Sequence, residues 1–326
     1  MSVTLKDIAL LAQVDTGTVS HVLNNHPKAA KLRAETRERI MQIVRDTGYT
    51  PNKLARAVKS GHSLVMALVS NNIGDDEFMG RIIAGLLEIL TADGYSLRVF
   101  SLREDNHAQI VQEICEQRIE AVFFHAPGHE FFEDIQLAIQ KHRLPCATID
   151  ISNRIYGYGV LADDYGAMGE IISYALDRGL VNFCGPLIYD GVWEFTCRRS
   201  RGFAAGIKKY ADRINKVFDL KNTDFTGLPP RTAIICPSDQ QALAILQQPH
   251  WHREDFPECY GISGFGDALM AGWGMLPLTS VDQGHREMGR KAARRLINWL
   301  NSAGDELFSS TENEEIPVRI VPRRSM

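Results

Sequence analysis

Long apolar runs are absent from this 326-residue sequence. A helix that spans a bilayer needs about 20 consecutive apolar residues, and no run of that kind occurs. Lys6 and Asp7 interrupt the amino-terminal region, and no apolar core of a secretory leader follows them. We therefore expect a cytoplasmic protein that does not associate with membranes.

Cysteines are few, and the signatures of common enzyme sites are missing. None of the six cysteines forms a CxxC pair or clusters with histidines at a metal-binding spacing. No phosphate-binding Walker A pattern occurs, and GISGF (261–265) lacks the last glycine of a nucleophile elbow. Two histidine pairs, 125/129 and 250/252, have no coherent partner set. We expect no metal, no cofactor and no enzyme activity, although an enzyme remains the main alternative class.

Charge is unevenly distributed along the chain. Residues 1–60 contain ten Lys and Arg against five Asp and Glu, a formal charge of +5. Because the whole chain carries −4, residues 61–326 carry −9. A small basic domain followed by a larger acidic one suits a module that neutralises phosphates while the rest stays away from nucleic acid. An ordinary solvated surface explains the charge alone equally well.

The most informative segment is TLKDIALLAQVDTGTVSHVLN, residues 4–24. Thr4 and Asp7 stand at the spacing of a capping box, and Ile8, Leu11 and Ala12 follow as an apolar face at helical spacing. Asp15 is placed to cap a second helix that runs to Asn24. Two short helices joined by a tight turn predict a helix-turn-helix whose second helix can enter a major groove.

This segment closely resembles the DNA-binding headpiece of the lactose-repressor (LacI/GalR) family of bacterial transcription regulators. The family signature reads approximately T-hydrophobic-x-D-V-A-x-x-A-G-V-S-x-x-T-V-S-R-V-L-N. Family-like motifs continue in order along almost the whole chain: ETRERI (35–40), GYTPN (48–52), LAR (54–56), RSRGF (199–203), SDQQALA (238–244), GFGD (264–267), PLTSVDQ (277–283) and MGRKAA (288–293).

The resemblance implies which headpiece residues contact DNA. The counterparts of Thr16, Gly17 and His21 set operator choice in the family, and the last is usually Arg, which suits a bidentate guanine contact. His21 is therefore a candidate base reader, with a phosphate or solvent role as the alternative. The remaining headpiece contacts implied are Thr4, Asp15, Thr18, Ser20 and Asn24.

Two segments after the helix-turn-helix depart from the family pattern. The connector 27–36 is about three residues longer, and its Lys28, Lys31 and Arg33 either add phosphate contacts or form a plain loop. The resemblance makes 51–61 a hinge helix that folds on operator DNA, with Asn52, Ala55 and Val58 as contacts. Val58 stands where the family places a leucine wedge in the minor groove.

From Leu64 onward, short apolar strands alternate with helical spacers of about 10–15 residues, which predicts βαβ units and parallel sheets. About nine strands suggest two sheets rather than one. The predicted fold is thus an all-α helix-turn-helix headpiece followed by an α/β, two-lobed domain like the periplasmic sugar-binding proteins. The boundaries are 1–50 for the headpiece, 51–61 for the hinge and 62–326 for the effector-binding and dimerisation domain. Lobe 1 is placed at about 62–159 and 285–303, and lobe 2 at about 160–283 and 315–326.

Ligands of parallel sheets bind beyond the carboxyl ends of the strands, so the cleft between the lobes is the expected effector site. By resemblance its polar contacts are Arg199, Asp239 and Asp150, with Arg198 and Arg201 as alternatives for the arginine. Asp239 could instead cap its helix. Phe78, Trp193 and Phe265 are candidate stacking surfaces or core residues. Gly266 stands where the family more often has an acid.

The sequence therefore predicts a homodimeric DNA-binding regulator, a repressor of carbohydrate-use genes. Its partners are double-stranded operator DNA with a pseudo-palindromic sequence and a small effector, a sugar or sugar derivative, that acts allosterically. The alternative is a sugar-binding protein or enzyme on the same scaffold without a DNA role.

Overall fold

The computed structural model describes residues 3–50, 61–74, 77–125, 132–187, 193–302 and 310–326. The chain forms two compact units, Met1–Ser63 and Leu64–Met326, here called the headpiece and the body. The predicted hinge contacts Asn52, Ala55 and Val58 lie outside the described residues. Within the described ranges no helix is long and apolar enough to cross a membrane.

The headpiece is built from short helices around one apolar cluster. Thr4 and Asp7 form the predicted capping box at the start of α1, and Gly48, in the left-handed conformation, ends α3. Ile8, Val19 and Ile40 are fully buried and bring the helices together. Leu11, expected to face inward, is exposed. The elements are α1 (Leu5–Leu11), α2 (Thr16–Leu23), a 3₁₀ turn (Pro27–Lys31) and α3 (Ala34–Thr47).

The first lobe of the body contains a six-stranded sheet in which every pairing is parallel. Its strands are β1 (Val65–Ser70), β2 (Ser96–Ser101), β3 (Ala121–His125), β4 (Cys146–Ile149), β5 (Gly157–Ala162) and β11 (Thr311–Ile316), in the order β11-β5-β4-β3-β1-β2. The central strands are buried on both faces because helices cover both sides, as parallel sheets require. Those helices are α4 (Glu77–Ala92), α5 (His107–Glu116), α6 (Phe132–Lys141) and α11 (His285–Asn301).

The second lobe contains a smaller parallel sheet of four strands with an antiparallel strand pair. The four strands, in the order β7-β6-β8-β9, are β6 (Asn182–Gly185), β7 (Lys216–Asp219), β8 (Thr232–Ile235) and β9 (Tyr260–Ser263). The antiparallel pair is β10 (Ser280–Asp282) with β12 (Arg319–Val321). The helices are α7 (Asp164–Asp177), α8 (Glu194–Lys209), α9 (Asp239–Leu246) and α10 (Leu269–Trp273). The predicted fold class, a helix-turn-helix unit with two parallel α/β lobes, is confirmed.

The chain crosses between the lobes three times, between β5 and α7, between β10 and α11, and between β11 and β12. Because β5 and β11 both belong to the first sheet, two crossings fall slightly later than the approximate predicted bounds. The first follows Ala162, where lobe 1 was placed to about 159, and the third follows Ile316, where lobe 2 was placed from about 315. The sequence analysis missed β11 because its sequence, TENEEI, has a single apolar residue. It pairs as an edge strand with β5 through its backbone.

The tightest helix packing in the first lobe is the crossing of α4 with α11. A Cβ added at Gly289 would overlap the backbone of Ile82 and Leu86, and one added at Gly85 would overlap the backbone of Arg286. Glycine on both helices therefore lets the two backbones approach closely. Met288 and Ala292 of α11 are fully buried beside this contact.

We expect Gly289→Ala to lower the free energy of unfolding of the body by about 1–3 kcal/mol, because the added methyl group must push α4 and α11 apart. Gly80→Ala is the matched control. It places the same change on an exposed face of α4 with no atom within 4 Å, and should be neutral or stabilise by up to about 1 kcal/mol. Urea unfolding followed by circular dichroism measures both. Equal effects of the two substitutions would contradict the packing argument.

Candidate functional site: the recognition helix and the interlobe cleft

The second helix of the headpiece, α2, carries the predicted DNA contacts, and a side-chain network fixes its first turn. Asp15 caps the helix: its Oδ1 accepts a hydrogen bond from the Thr18 N–H (2.8 Å) and its Oδ2 accepts one from the Thr18 hydroxyl (2.6 Å). These hydrogen bonds lower the pKa of Asp15. Asp15 and Thr18 therefore act first as structural groups that hold the start of the helix.

Among the other predicted headpiece contacts, some side chains are engaged in hydrogen bonds within the headpiece and others are not. Thr4 is engaged in the capping box of α1, and the Asn24 amide donates to the carbonyl of Ser20 (2.7 Å) and to its hydroxyl (3.3 Å). Thr16 and His21 make no side-chain hydrogen bond within the described headpiece, and Gly17 has no side chain to offer. Of the predicted contacts on α2, Thr16 and His21 remain the side chains best placed to read bases.

The longer connector after α2 folds into an ordered turn. Residues Pro27–Lys31 form a 3₁₀ turn, and its Ala29 is buried in the headpiece core. Lys28 and Lys31 are exposed on the same turn. The connector is thus part of the packed headpiece, and the exposed lysines stay available for the predicted phosphate contacts.

In the body, the carboxyl end of β4 places Asp150 beside a buried histidine that the sequence analysis did not identify. Nε2 of His285, the first residue of α11, lies 3.8 Å from Oδ2 of Asp150. The ring of Phe78 stacks on the His285 ring with centroids 4.5 Å apart and planes 12° apart. Phe78 and Asp150, separated by more than seventy residues, are therefore brought together through His285.

Asp150 has unusual backbone and electrostatic surroundings. Its φ of 60° is left-handed, a conformation that non-glycine residues adopt rarely and that marks functional positions. Burial acts to raise its pKa, but the nearby His285 imidazole, together with the charges of His125 and Arg199, outweighs burial and leaves the pKa lowered. Oδ1 of Asp150 and Nδ1 of His285 are buried and make no hydrogen bond. Two polar atoms at the cleft are thus ready for a ligand.

Arg199 lies where the chain crosses between the lobes. From α8, its Nε donates to Oδ1 of Asp164 (2.9 Å) and its Nη1 donates to the carbonyl of Pro237 (2.7 Å). Its guanidinium lies over the rings of Phe195 (4.8 Å) and Phe265 (3.8 Å). Both charged side chains of the ion pair are at most 5% exposed. Arg199 is therefore first a structural residue near the lobe junction. A hydrogen bond from Arg199 to a ligand hydroxyl would add to these contacts.

Asp164 is the second functional residue that sequence reasoning missed. It follows Asp163, which caps α7 by accepting from the Gly166 N–H, so Asp164 is left to turn inward. Burial raises its pKa to about 6, although Arg199 acts in the opposite direction. The sequence feature that could have indicated Asp164 is the pair of acidic residues at the start of α7. One acid is enough to cap the helix, so the other has a different role.

Asp239 anchors the loop that carries Phe265. Its Oδ2 accepts from the Ala268 N–H (2.6 Å) and its Oδ1 accepts from the Ser280 hydroxyl (2.5 Å). Ser238, not Asp239, caps α9. The loop needs glycine at position 266, where φ is 118° and a Cβ would overlap the Phe78 ring. Asp239 and Phe265 are thus buried residues that shape the cleft.

Both rims of the cleft carry hydrogen bonds from one lobe to the other. On one rim, Arg81 donates to the carbonyl of Asp267 (2.6 Å), and Glu77 accepts from the Leu269 N–H (2.9 Å). On the other rim, Ser152 donates to Glu194. Trp193, the predicted stacking residue, precedes Glu194, is 40% exposed and stacks on Phe195. Trp193 therefore lies at the rim and not at the centre of the cleft.

The two alternative arginines, Arg198 and Arg201, differ in their surroundings. Arg198 pairs with Glu315 (2.6 Å) and donates to the carbonyl of Ala162, so it supports the lobe crossings. Arg201 is exposed. Among the described residues, no group of three or more His, Cys, Asp or Glu could hold a metal ion.

Two family models match the chain. Residues 4–52 match the bacterial regulatory proteins of the lacI family, and residues 188–326 match the periplasmic binding protein-like domain. The first match covers the helix-turn-helix, and the second covers most of lobe 2 and the last two crossings.

Known proteins similar to the chain over almost its whole length are transcription repressors. The ribose operon repressor of Haemophilus influenzae is 24% identical and covers 93% of each chain, and the HTH-type transcriptional repressor CytR of Escherichia coli is 24% identical and covers 91% of this chain and 89% of its own. Among solved structures, a lac repressor dimer bound to operator and the anti-inducer ONPF superposes with a TM-score of 0.74 at 19% identity, covering 100% and 99% of the two chains.

A helix-turn-helix headpiece joined to a two-lobed periplasmic-binding-like body defines the chain as a DNA-binding transcriptional regulator. The predicted family is confirmed by the headpiece match and by the full-length relatives. Residues 4–52 are a DNA-binding domain of the lacI family, and the relatives that match almost the whole chain include repressors.

The raised pKa of Asp164 gives a pH-dependent contribution to stability. Between about pH 4 and pH 6 the folded protein keeps a proton that the unfolded chain has released, so the free energy of unfolding falls as pH rises through this window. Asp164→Asn removes the titration. We expect the unfolding free energy of Asp164→Asn, relative to the unmodified protein, to rise by up to about 3 kcal/mol from pH 4 to pH 6.5. Urea titrations at each pH measure this difference, and parallel curves would contradict the assignment.

Proposed function

We propose that this regulator is a homodimeric repressor of carbohydrate-use genes that binds a pseudo-palindromic operator and is controlled by a neutral, hydroxyl-rich effector in the interlobe cleft. The observation that carries the proposal is the meeting of Phe78, Asp150, Arg199 and Phe265, from four distant segments, around the lobe junction. The headpiece match argues against a sugar-binding protein or an enzyme without a DNA role.

The free polar atoms of the cleft favour a ligand that both donates and accepts hydrogen bonds. Oδ1 of Asp150 can only accept, whereas Nδ1 of His285 can do either. Sugar hydroxyls satisfy both, and the Phe78 ring offers an apolar face. The ligands of two similar structures belong to this class: a regulator CelR is bound to cellobiose, and a LacI-family regulator from Enterococcus faecium is bound to ribose.

DNA binding is assigned to the headpiece, with Thr16 and His21 reading bases and Asn52, Ala55 and Val58 acting in the hinge. Thr4 caps α1, Asp15 and Thr18 fix the first turn of α2, and Asn24 hydrogen-bonds Ser20 at its end; these five residues are assigned to the backbone of the DNA. The minor-groove role of Val58 remains a proposal by resemblance. Val58→Asp should remove specific operator binding in a gel-shift assay, whereas unchanged binding would remove the wedge.

The His21 assignment is tested by base preference. We expect His21→Ala in the full chain to relax the preference at one position of each half-site by about 1–3 kcal/mol, because a direct base contact is lost. The duplex probe is the one that the unmodified protein selects from a random pool, compared with single-base variants by fluorescence anisotropy. Arg33→Ala, on the exposed connector, is the control for general loss of positive charge. Equal weakening on all duplexes would make His21 a phosphate contact.

The homodimer is supported by an exposed apolar patch on lobe 2. Four side chains on and after α10 are each more than half exposed: Leu269, Met270, Trp273 and Met275. Monomeric soluble proteins rarely expose so many neighbouring apolar groups. The similar lac repressor structure is a dimer. A second copy of this chain is therefore the proposed occupant of the patch.

We expect Trp273→Glu to shift the protein toward monomer, because a charge would have to be buried against the partner's apolar surface. Sedimentation equilibrium of the full chain measures the change. Leu137→Glu on α6 is the control, since it places the same charge on an exposed apolar side chain outside the patch. A dimer constant unchanged by Trp273→Glu would place the interface elsewhere.

A further inference from the structure

The carboxyl end of the recognition helix α2 has the backbone geometry of a Schellman motif. Asn25 is left-handed with φ of 48°, its N–H donates to the Val22 carbonyl (3.3 Å), and the His26 N–H donates to the His21 carbonyl (3.0 Å). This motif brings His26, three residues after the last helical residue Leu23, against His21, two residues before Leu23. An apolar contact commonly fills that position.

Here the contact is a stack of two imidazoles. The ring centroids of His21 and His26 are 4.7 Å apart, and their planes differ by 28°. His21 is the base reader assigned under the proposed function, so the side chain that is to enter the groove is already packed against a neighbour. A side chain held in one rotamer loses less conformational entropy when it docks.

His26 is itself held in place at its other side. Its Nδ1 accepts a hydrogen bond from the Lys28 N–H (3.2 Å) and caps the 3₁₀ turn Pro27–Lys31. Because Nδ1 accepts, the neutral ring carries its proton on Nε2. Pro27 at the first position of the turn restricts the backbone further. Backbone, ring face and Nδ1 together fix the His26 ring.

We propose that His26 is a positioning residue for base readout: it orders the His21 imidazole on the recognition helix, so that base preference depends on both histidines. The inference rests on the proposed role of His21. It goes beyond that role because it assigns a specificity function to a residue outside the recognition helix, the one that caps the 3₁₀ turn Pro27–Lys31.

Three substitutions at position 26 separate the stack from the cap. His26→Ala removes both, His26→Asn keeps a good capping group without a ring, and His26→Phe keeps a ring face without the Nδ1 acceptor. If stacking positions His21, Ala and Asn should both lower the discrimination between the selected half-site and its variant at the His21 position by about 2–10-fold. His26→Phe should stay within about 2-fold of the unmodified protein.

The measurement is the ratio of affinities of the full chain for the selected duplex and for the single-base variant, at one fixed salt concentration. The ratio is the useful readout because a loss of folding or of a phosphate contact weakens both duplexes equally. On the His21→Ala background, His26→Ala should leave the ratio unchanged, since no ring remains to be positioned.

The outcomes distinguish the two assignments. If His21→Ala changes the ratio but His26→Ala does not, the positioning role is wrong and the base reader stands. If His26→Phe is as damaging as His26→Ala, the cap and not the stack is what matters, and the positioning role is also wrong. If His21→Ala leaves the ratio unchanged, the base-reader assignment fails and the positioning role fails with it.

Discussion

The buried ion pair between Arg199 and Asp164 is the interaction on which the lobe junction depends. Asp164 begins the first helix after the chain leaves the first sheet, and Gln283, in the second crossing, also reaches it (3.5 Å). Burying two charges costs several kcal/mol, and the hydrogen bonds of Arg199 offset part of that cost. For Asp164 burial still outweighs them, because its pKa is raised. Removing one partner would leave the other as an uncompensated buried charge, so these side chains shape the cleft before they can serve a ligand.

The position of His285 explains how a ligand could act on the lobes. His285 begins α11 directly after the second crossing, lies beside Asp150 of the same lobe and stacks on Phe78. A molecule that hydrogen-bonds Asp150 and His285 therefore contacts a crossing segment and the helix that packs closely on α4. A ligand shifts an equilibrium only through contacts that differ between the two states. Hydrogen bonds at a crossing meet that condition.

The sequence predicted the helix-turn-helix and the parallel lobes because each rests on local patterns: capping residues, buried apolar strands and family motifs. It missed β11, whose polar side chains hide an edge strand that pairs by its backbone. It also missed Asp164 and His285. It predicted a ligand contact for Asp239, whose two carboxylate oxygens accept hydrogen bonds from Ala268 and Ser280. Those roles depend on tertiary contacts between segments that are far apart in the sequence. The periodicity of a single sequence carries no information about such contacts.

The central claim is that ligand in the cleft and DNA at the headpiece are energetically coupled. The direct measurement has two parts. The first is the operator affinity of the full chain with and without the neutral pentose, hexose or disaccharide that calorimetry identifies as bound. The second is the affinity of the chain for that sugar with and without operator. The account predicts the same factor in both directions, about 5–150-fold, and predicts that Asp150→Asn binds operator normally but loses the sugar response. A sugar that binds the cleft in calorimetry and leaves operator affinity unchanged would contradict it.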